Sequence, residues 1–222
     1  MADTAGASAQ KIWDSIVNVI MQLYATIPDS ILFGSIILYI VTLSKAYGVF
    51  ALFIIELIAS HKFLSWLIKG TVGPSSGPQN TQCASGYKLA RLNYTQIMPT
   101  HQYPSYGIFS ITAIATYLGL STYEFYDVME SKGPQWKYRA AIAGVFIIAI
   151  LLLCIIVRLI NCDSFGEIAI ALVFAVICGS LFFYINKLIF DKEAVNFLGL
   201  PTIESKDVAG KNIYICKVSN AI

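Results

Sequence analysis

The residues most able to do chemistry stand where long apolar runs begin or end. Arg158 follows eighteen uncharged residues, Lys69 closes an earlier run, and Pro104-Ser105 opens another. A helix that starts at Pro104 presents unbonded backbone N–H groups in its first turn. These residues mark the ends of helices, and the groups that lie together at those ends bear on the function.

The sequence has no comparable pattern of residues that would bind a metal. The chain has two histidines, His61 and His101, and neither stands at metal-ligand spacing from the five cysteines. We therefore predict no metal and no cofactor. His61 is interpreted as an interfacial residue near a helix end.

Membrane-spanning helices must position these residues. The run 140–157 rises about 1.5 Å per residue and so crosses most of a hydrocarbon core that is about 30 Å thick. Composition agrees, since 57% of the residues are hydrophobic, 13% are charged and the mean hydropathy is +0.68. Five crossings are predicted, at 29–44, 48–68, 104–121, 140–157 and 167–185.

A further helix at 12–27 has two interpretations. Asp14, Asn18, Gln22 and Thr26 recur every four residues and make a polar stripe, so this helix either lies in the interface or spans with the stripe against protein. Spanning is preferred because the following residues form a turn into the next crossing. The predicted fold class is all-α: an integral membrane six-helix bundle with five clear crossings, an amphipathic first helix and a long loop after helix three.

Counting crossings assigns residues to sides, because each crossing moves the chain to the opposite face. The residues predicted to share the face of the long loop are Lys69, Lys88, Arg91, His101, Pro104, Ser105, Arg158, Asp163 and Glu167. The opposite face carries nine Lys or Arg residues against five, so the positive-inside rule predicts that it is cytoplasmic. The long loop is then lumenal or external, in agreement with a glycosylation sequon at Asn93-Tyr94-Thr95.

The chain is predicted to have one membrane domain, 12–190, between an N-terminal segment, 1–11, and a cytoplasmic tail, 191–222. The long loop occupies 70–103. A net charge of +2 without a basic, aromatic-rich cluster argues against nucleic acid as a partner. Strand-forming residues at 212–218 could pair with an edge strand of another chain. The predicted partners are membrane lipids and other proteins of a membrane assembly, and a homo-oligomer is left open.

This arrangement resembles the type 2 phosphatidic acid phosphatase superfamily, with six helices, a long loop after the third, Pro-Ser opening the fourth and Arg closing the fifth. That superfamily carries the motifs Lys-x6-Arg-Pro, Pro-Ser-Gly-His and Ser-Arg-x5-His-x3-Asp at the corresponding places. The resemblance implies a residual site for a lipid phosphate at Lys69, Pro104, Ser105 and Arg158. The arginine of the first motif is missing after Lys69, and taking Lys62 as the motif lysine is a weaker match.

Both catalytic histidines of the superfamily are absent. Gly107 stands at the position of the histidine in the second motif. In the third motif, strict spacing puts Ser164 and Ile168 at the histidine and aspartate positions, and a one-residue deletion puts Asp163 and Glu167 there. These are degenerate catalytic positions, because none of these side chains can attack phosphorus and protonate a leaving group as imidazole does near neutral pH.

The replacements also change the charge of the site. Asp163 and Glu167 would place negative charge beside a phosphate and repel it. His101, three residues before Pro104, is a candidate substitute for a lost histidine, although a loop histidine held by a hydrogen bond is the preferred interpretation. Arg158 has an alternative interpretation as an interface anchor. Anion binding could therefore survive where catalysis has not.

Glu56 lies near the middle of the crossing 48–68. A charge at that depth costs at least about 2.5 kcal/mol, so Glu56 should face protein and be protonated or paired. An interhelical hydrogen bond is the preferred role, and proton or ion transport is the alternative.

Cys83 and Cys162 are the two cysteines predicted to lie on the long-loop face, where an oxidising compartment would allow them to pair. The superfamily fold implies that they approach each other, because it brings the long loop over the turn between helices five and six. Two free thiols are the alternative.

Together these features predict a non-catalytic multispanning membrane protein that resembles a lipid phosphatase. It would serve as a structural or interaction component of a membrane assembly, one setting being the internal membrane of a virus particle. The alternatives are an active lipid phosphate phosphatase with replaced catalytic residues, and a channel or transporter.

Overall fold

A computed structural model describes residues 15, 19, 27, 30–72, 104–131, 133–161, 163–197, 203–206 and 212–214. The predicted all-α bundle is confirmed over these residues. Its helices are α1 (Ser30–Thr42), α2 (Lys45–Val72), α3 (Tyr106–Glu124), α4 (Tyr126–Ser131), α5 (Pro134–Asn161) and α6 (Phe165–Phe190). A 3₁₀ helix (Lys192–Val195) and the strands β1 (Ile203–Lys206) and β2 (Asn212–Tyr214) follow.

Three of the described helices are long and apolar enough to cross a membrane: α2 over Lys45–Ile68, α5 over Pro134–Ile160, and α6. The chain is therefore a helical membrane protein. Of the other two predicted crossings, α1 is only about 20 Å long at 1.5 Å per residue, and α3 is long enough but more polar. The predicted helix at 12–27 lies mostly outside the described residues, of which Ser15, Val19 and Ile27 are helical.

Helix α3 can be more polar than α2, α5 and α6 because it lies inside the bundle, where it contacts all three. Eleven of its 19 residues are buried, so protein and not lipid surrounds most of its side chains. Its hydroxyl groups can then bond to nearby carbonyl oxygens, as Ser110 Oγ does by donating to Gly107 O over 3.1 Å. The least apolar of the long helices is thus the one that organises the core.

Small residues bring α3 and α6 together. Ala171, Ala175 and Gly179 recur every four residues of α6 and are all buried. A Cβ atom added at Gly179 would lie 2.8 Å from the carbonyl oxygen of Ala113, so the two backbones are in contact. Such close packing is how membrane helices associate when apolar burial offers little driving force.

Helix α5 faces outward. Large apolar side chains are exposed along its length, among them Val145, Phe146, Leu152 and Ile156. An apolar surface of this kind suits lipid or a partner helix. The segment between the predicted crossings 104–121 and 140–157 is largely helical, because α4 and the start of α5 occupy most of it. Proline suits the first position of α5, where its missing N–H has no helical partner.

The predicted crossings 29–44 and 48–68 correspond to α1 and α2, which lie side by side. Only Leu43 and Ser44 join them, and Leu43 adopts a left-handed conformation with φ of 52°. The ring of Tyr39 in α1 then lies directly against Gly48 in α2, where a Cβ atom would be 3.0 Å from the ring.

The chain after α6 closes the end of the bundle that contains Glu124, which we call the Glu124 end. Lys187 Nζ and Lys192 Nζ lie 2.7 and 3.0 Å from the Glu124 carboxylate. The hydrogen bond from Lys187, helped by Lys192, lowers the pKa of Glu124 below its usual range. Ser121 Oγ also donates to the carbonyl oxygen of buried Val195 over 2.7 Å. The predicted tail thus begins with residues that pack against the bundle.

The strand-forming residues of the tail pair within the chain. β1 and β2 form an antiparallel hairpin in which Lys206 pairs with Asn212 and Ile203 with Tyr214. An edge strand of another chain is therefore not needed to pair residues 212–214.

Candidate functional site

A buried polar cluster occupies the opposite end of the bundle, which we call the Arg158 end. It consists of His61 from α2, Pro104 and Ser105 before α3, Arg158 from the last turn of α5, and Asp163 before α6. All five residues are buried, and His61, Ser105, Arg158 and Asp163 have at most 7% of their surface exposed. The structure therefore brings together Ser105, Arg158 and Asp163, as counting crossings predicted.

Arg158 and Asp163 form a two-point ion pair. Arg158 Nε donates to Asp163 Oδ2, and Arg158 Nη2 donates to Asp163 Oδ1, both over 2.8 Å. The end of α5 produces this geometry, because the Asp163 N–H turns back to the Arg158 carbonyl oxygen at 2.9 Å. Both side chains are 2% exposed. The interpretation of Arg158 as an interface anchor was therefore wrong.

Ser105 contacts the same guanidinium nitrogen that donates to Asp163 Oδ1. Its hydroxyl oxygen accepts from Arg158 Nη2 over 3.4 Å, a long and weak bond. Ser105 occupies the N-cap position of α3, but its side chain makes no capping bond. Its hydroxyl faces Arg158, so the start of α3 and the guanidinium lie next to each other, as an anion site at this place would need.

His61 joins the cluster from the core of the bundle. The prediction of an interfacial residue was wrong, since His61 is fully buried. Nε2 lies 2.7 Å from the Pro104 carbonyl oxygen, and because a carbonyl only accepts, Nε2 carries the proton. Nδ1 is then left to accept from Ser65 Oγ at 3.5 Å. The rings of Tyr106 and Phe109 pack against the imidazole, with centroids 5.0 and 5.3 Å away.

The signal for His61 was present in the sequence. Phe50, Phe53, Leu57, His61 and Leu64 follow one another at steps of three or four and are all buried. A histidine on the apolar stripe of a helix is expected to face the core.

Two of the degenerate catalytic positions have a structural role. Ser164 Oγ accepts from the Glu167 N–H over 3.4 Å, and the Glu167 carboxylate accepts from the Ser164 N–H over 2.8 Å. This capping box starts α6. Gly107 is buried in the first turn of α3.

Other predicted site residues cannot be placed. The backbone of Lys69 belongs to α2, but its side chain lies outside the described part of the chain. Cys83, Cys162 and His101 also lie outside the described residues. The disulfide and the contribution of Lys69 to an anion site therefore stay predictions.

The cluster at the Arg158 end combines opposite charges in a closed space. The guanidinium is neutralised by one carboxylate, and both nitrogens of the His61 imidazole have hydrogen-bond partners. No group of three or more Cys, His, Asp or Glu residues that could hold a metal ion occurs in the part of the chain that the structure describes. The geometry suits holding α2, α3 and α5 at fixed positions more than it suits binding a second anion.

A second polar contact lies within the bundle. Asn186 Nδ2 of α6 donates to Glu56 Oε2 of α2 over 3.0 Å. The predicted interhelical hydrogen bond of Glu56 is thereby confirmed. Asn186 is fully buried, whereas Glu56 is partly exposed.

Comparison of the chain with family models, with curated proteins and with solved structures found no match.

Proposed function

We propose that this membrane protein has no catalytic activity and serves as a structural or interaction component of a membrane assembly. The observation that carries the proposal is the buried ion pair of Arg158 and Asp163. An enzyme that binds a phosphate at this place would need a free cation and an accessible nucleophile. Here the cation is paired and the nearest imidazole is enclosed.

The proposed relation to the type 2 phosphatidic acid phosphatase superfamily depends on helix order and partial motifs. Under this relation, Asp163 replaces a catalytic group with a carboxylate that neutralises the motif arginine. A phosphate that took the place of Asp163 would have to separate a buried ion pair, which costs about 3–5 kcal/mol. A residual phosphate site is therefore weak at best, and a rigid helix contact is the better use of the pair.

The alternative of an active phosphatase requires a substitute for the missing histidine, either His101, which lies outside the described residues, or His61. His61 stands beside Pro104-Ser105, where the superfamily places catalytic groups. However, its Nε2–H is bound to Pro104 O, and its ring is fully buried against Tyr106 and Phe109. The imidazole would have to break these contacts before it could attack phosphorus.

We expect the purified full-length protein in detergent micelles to release no phosphate from phosphatidic acid, lysophosphatidic acid or an isoprenyl diphosphate. The reason is that no imidazole is free at the Arg158 end among the described residues. Phosphate release is measured against empty micelles.

Turnover that His101→Ala, His61→Ala or Asp163→Asn abolishes would overturn the inactive assignment. Glu167→Gln is the matched control, because glutamine keeps the capping box and removes only a charge that lies outside the buried pair. Turnover retained equally in all of these variants would indicate a contaminating enzyme.

The proposed orientation places the Glu124 end in the cytoplasm and the Arg158 end in the lumen or outside. The supporting observation is the excess of Lys and Arg on the Glu124 end. An internal membrane of a virus particle is one setting in which such a component would serve, and the outward apolar surface of α5 is available to lipid or a partner helix.

Cysteines introduced at Ser76 and Ser131 are expected to label from opposite sides of sealed vesicles. Ser131 ends α4 at the Glu124 end, and Ser76 follows α2, so α3 separates them. Labelling with a membrane-impermeant maleimide, compared with the parent protein, measures the accessibility of each site. Equal accessibility would contradict the helix order across the membrane, and a cytoplasmic Ser76 would reverse only the orientation.

A further inference from the structure

Three polar side chains from three helices converge inside the bundle, away from the Arg158 end. They are Glu56 of α2, Tyr117 of α3 and Asn186 of α6. Asn186 Nδ2 donates to Glu56 Oε2, and Tyr117 packs against Phe53 and Phe183, which stand one helical turn from Glu56 and Asn186. Neighbouring rings hold this arrangement, since the Tyr117 ring lies 4.2 Å from the Phe53 ring and 5.3 Å from the Phe183 ring.

Two polar atoms of this group have no hydrogen-bond partner among the described residues. They are the hydroxyl of Tyr117 and the side-chain oxygen of Asn186. Both residues are at most 1% exposed. Buried polar groups without a partner are rare, and the usual explanation is a bound molecule such as ordered water.

The two unpaired atoms are complementary to water. The Tyr117 hydroxyl can donate a hydrogen bond, whereas the Asn186 oxygen can only accept one. We propose that Glu56, Tyr117 and Asn186 bind one internal water molecule. This water accepts from Tyr117, donates to Asn186 and donates its second proton to the Glu56 carboxylate. Three hydrogen bonds are typical of a buried water.

A cation fits the same group less well. One carboxylate and two neutral oxygens are few ligands for a hard cation, which takes six or more. A cation would also leave the Tyr117 hydroxyl proton without an acceptor, whereas water supplies one.

Aromatic rings cover the site on the side of the Glu124 end. The Phe50 ring lies 5.5 Å from the Tyr117 ring and 4.7 Å from the Phe197 ring. Phe197 follows the 3₁₀ helix that closes this end. The water is therefore covered on this side, and it connects α2, α3 and α6 by hydrogen bonds that none of the three side chains completes alone. This inference is independent of the proposed function.

The first test is Tyr117→Phe in the full-length protein. If water is bound, removing the hydroxyl deletes a satisfied hydrogen bond, and the melting temperature in detergent should fall by about 2–4 °C. If the hydroxyl is unpaired, its removal should leave the melting temperature unchanged or raise it, and the proposal is then wrong. Tyr184→Phe is the matched control, because Tyr184 is 58% exposed on α6 and should show no change.

The second test detects the water directly. X-ray radiolysis in oxygen-18 water labels aromatic rings beside bound water even when bulk solvent cannot reach them. We expect Tyr117 to be labelled more strongly than the equally buried Phe109. Equal weak labelling, together with a lower melting temperature for Tyr117→Phe, would indicate a direct bond from Tyr117 to Glu56 and would overturn the proposal.

A third measurement separates water from a cation. The melting temperature of the wild-type protein should be the same in sodium, potassium and choline chloride at equal ionic strength. Stabilisation by sodium or potassium that is lost in Glu56→Gln would assign a cation to the site and reject water.

Discussion

Replacing Asp163 with asparagine is expected to lower the free energy of unfolding by about 3 kcal/mol or more. The substitution keeps the shape of the side chain but leaves the Arg158 guanidinium buried without a counter-charge. A loss of this size is a large fraction of the 5–15 kcal/mol that stabilises a typical protein. Reversible unfolding of the full-length protein in mixed micelles, monitored by tryptophan fluorescence or circular dichroism, measures the difference.

Glu167→Gln provides the matched control for this prediction. It removes one carboxylate charge only four residues away, but glutamine still accepts the bond from the Ser164 N–H. We expect a change below about 0.5 kcal/mol. If Asp163→Asn is no more destabilising than Glu167→Gln, the ion pair does not hold the helices together.

A double variant tests whether the charges act as a pair. Arg158→Met combined with Asp163→Asn removes both, so no unpaired charge remains in the core. The double variant should be more stable than Asp163→Asn alone, because a buried charge without a partner costs more than the loss of the pair. A double variant whose loss equals the sum of the two single losses would contradict the coupling.

Adding inorganic phosphate to the same unfolding experiment distinguishes a purely structural ion pair from a residual anion site. Asp163→Asn frees the guanidinium, so a site built for phosphate would let millimolar inorganic phosphate restore the lost stability. We expect phosphate to restore no more stability to Asp163→Asn than chloride does at equal ionic strength. Specific rescue by phosphate would reinstate the anion site at Lys69, Ser105 and Arg158.

Much of the bundle could be predicted because the length of an apolar run and the spacing of its apolar residues are local properties of the sequence. The run 140–157 needs no other part of the chain to indicate a crossing, and counting crossings is enough to place Ser105, Arg158 and Asp163 on one face. The partner of Arg158 is also local, since the turn after α5 brings Asp163 back to it.

Other features depend on contacts between distant residues or on a change of environment. The apolar run predicts a crossing that begins at residue 140. The helix itself begins at Pro134, because it continues beyond the hydrocarbon core to where Lys137 and Arg139 can be solvated. The polarity of His61 suggests an interfacial position, but its place on the apolar stripe of α2 puts it in the core. Its partner, Pro104 O, is 43 residues away, and nothing local indicates it.

Replacing Gly179 with alanine is expected to destabilise the bundle by about 1–3 kcal/mol, and leucine should cost more. The added Cβ would lie 2.8 Å from the Ala113 carbonyl oxygen and 3.1 Å from Thr116 Cβ. Backbone atoms cannot rotate away, so α3 and α6 must separate, and the close approach that holds membrane helices together is lost.

Gly119→Ala is the matched control, because it makes the same chemical change in α3 where a Cβ atom would meet nothing within 4 Å. It should be neutral or slightly stabilising, since alanine forms helices better than glycine. Unfolding in mixed micelles compares the two variants under one condition. Equal stability of Gly179→Ala and Gly119→Ala would contradict the contact between the α3 and α6 backbones. A loss confined to Gly179 would instead identify this contact as the one that orders the core, because α3 could then no longer present Tyr117 and Ser105 to its neighbours.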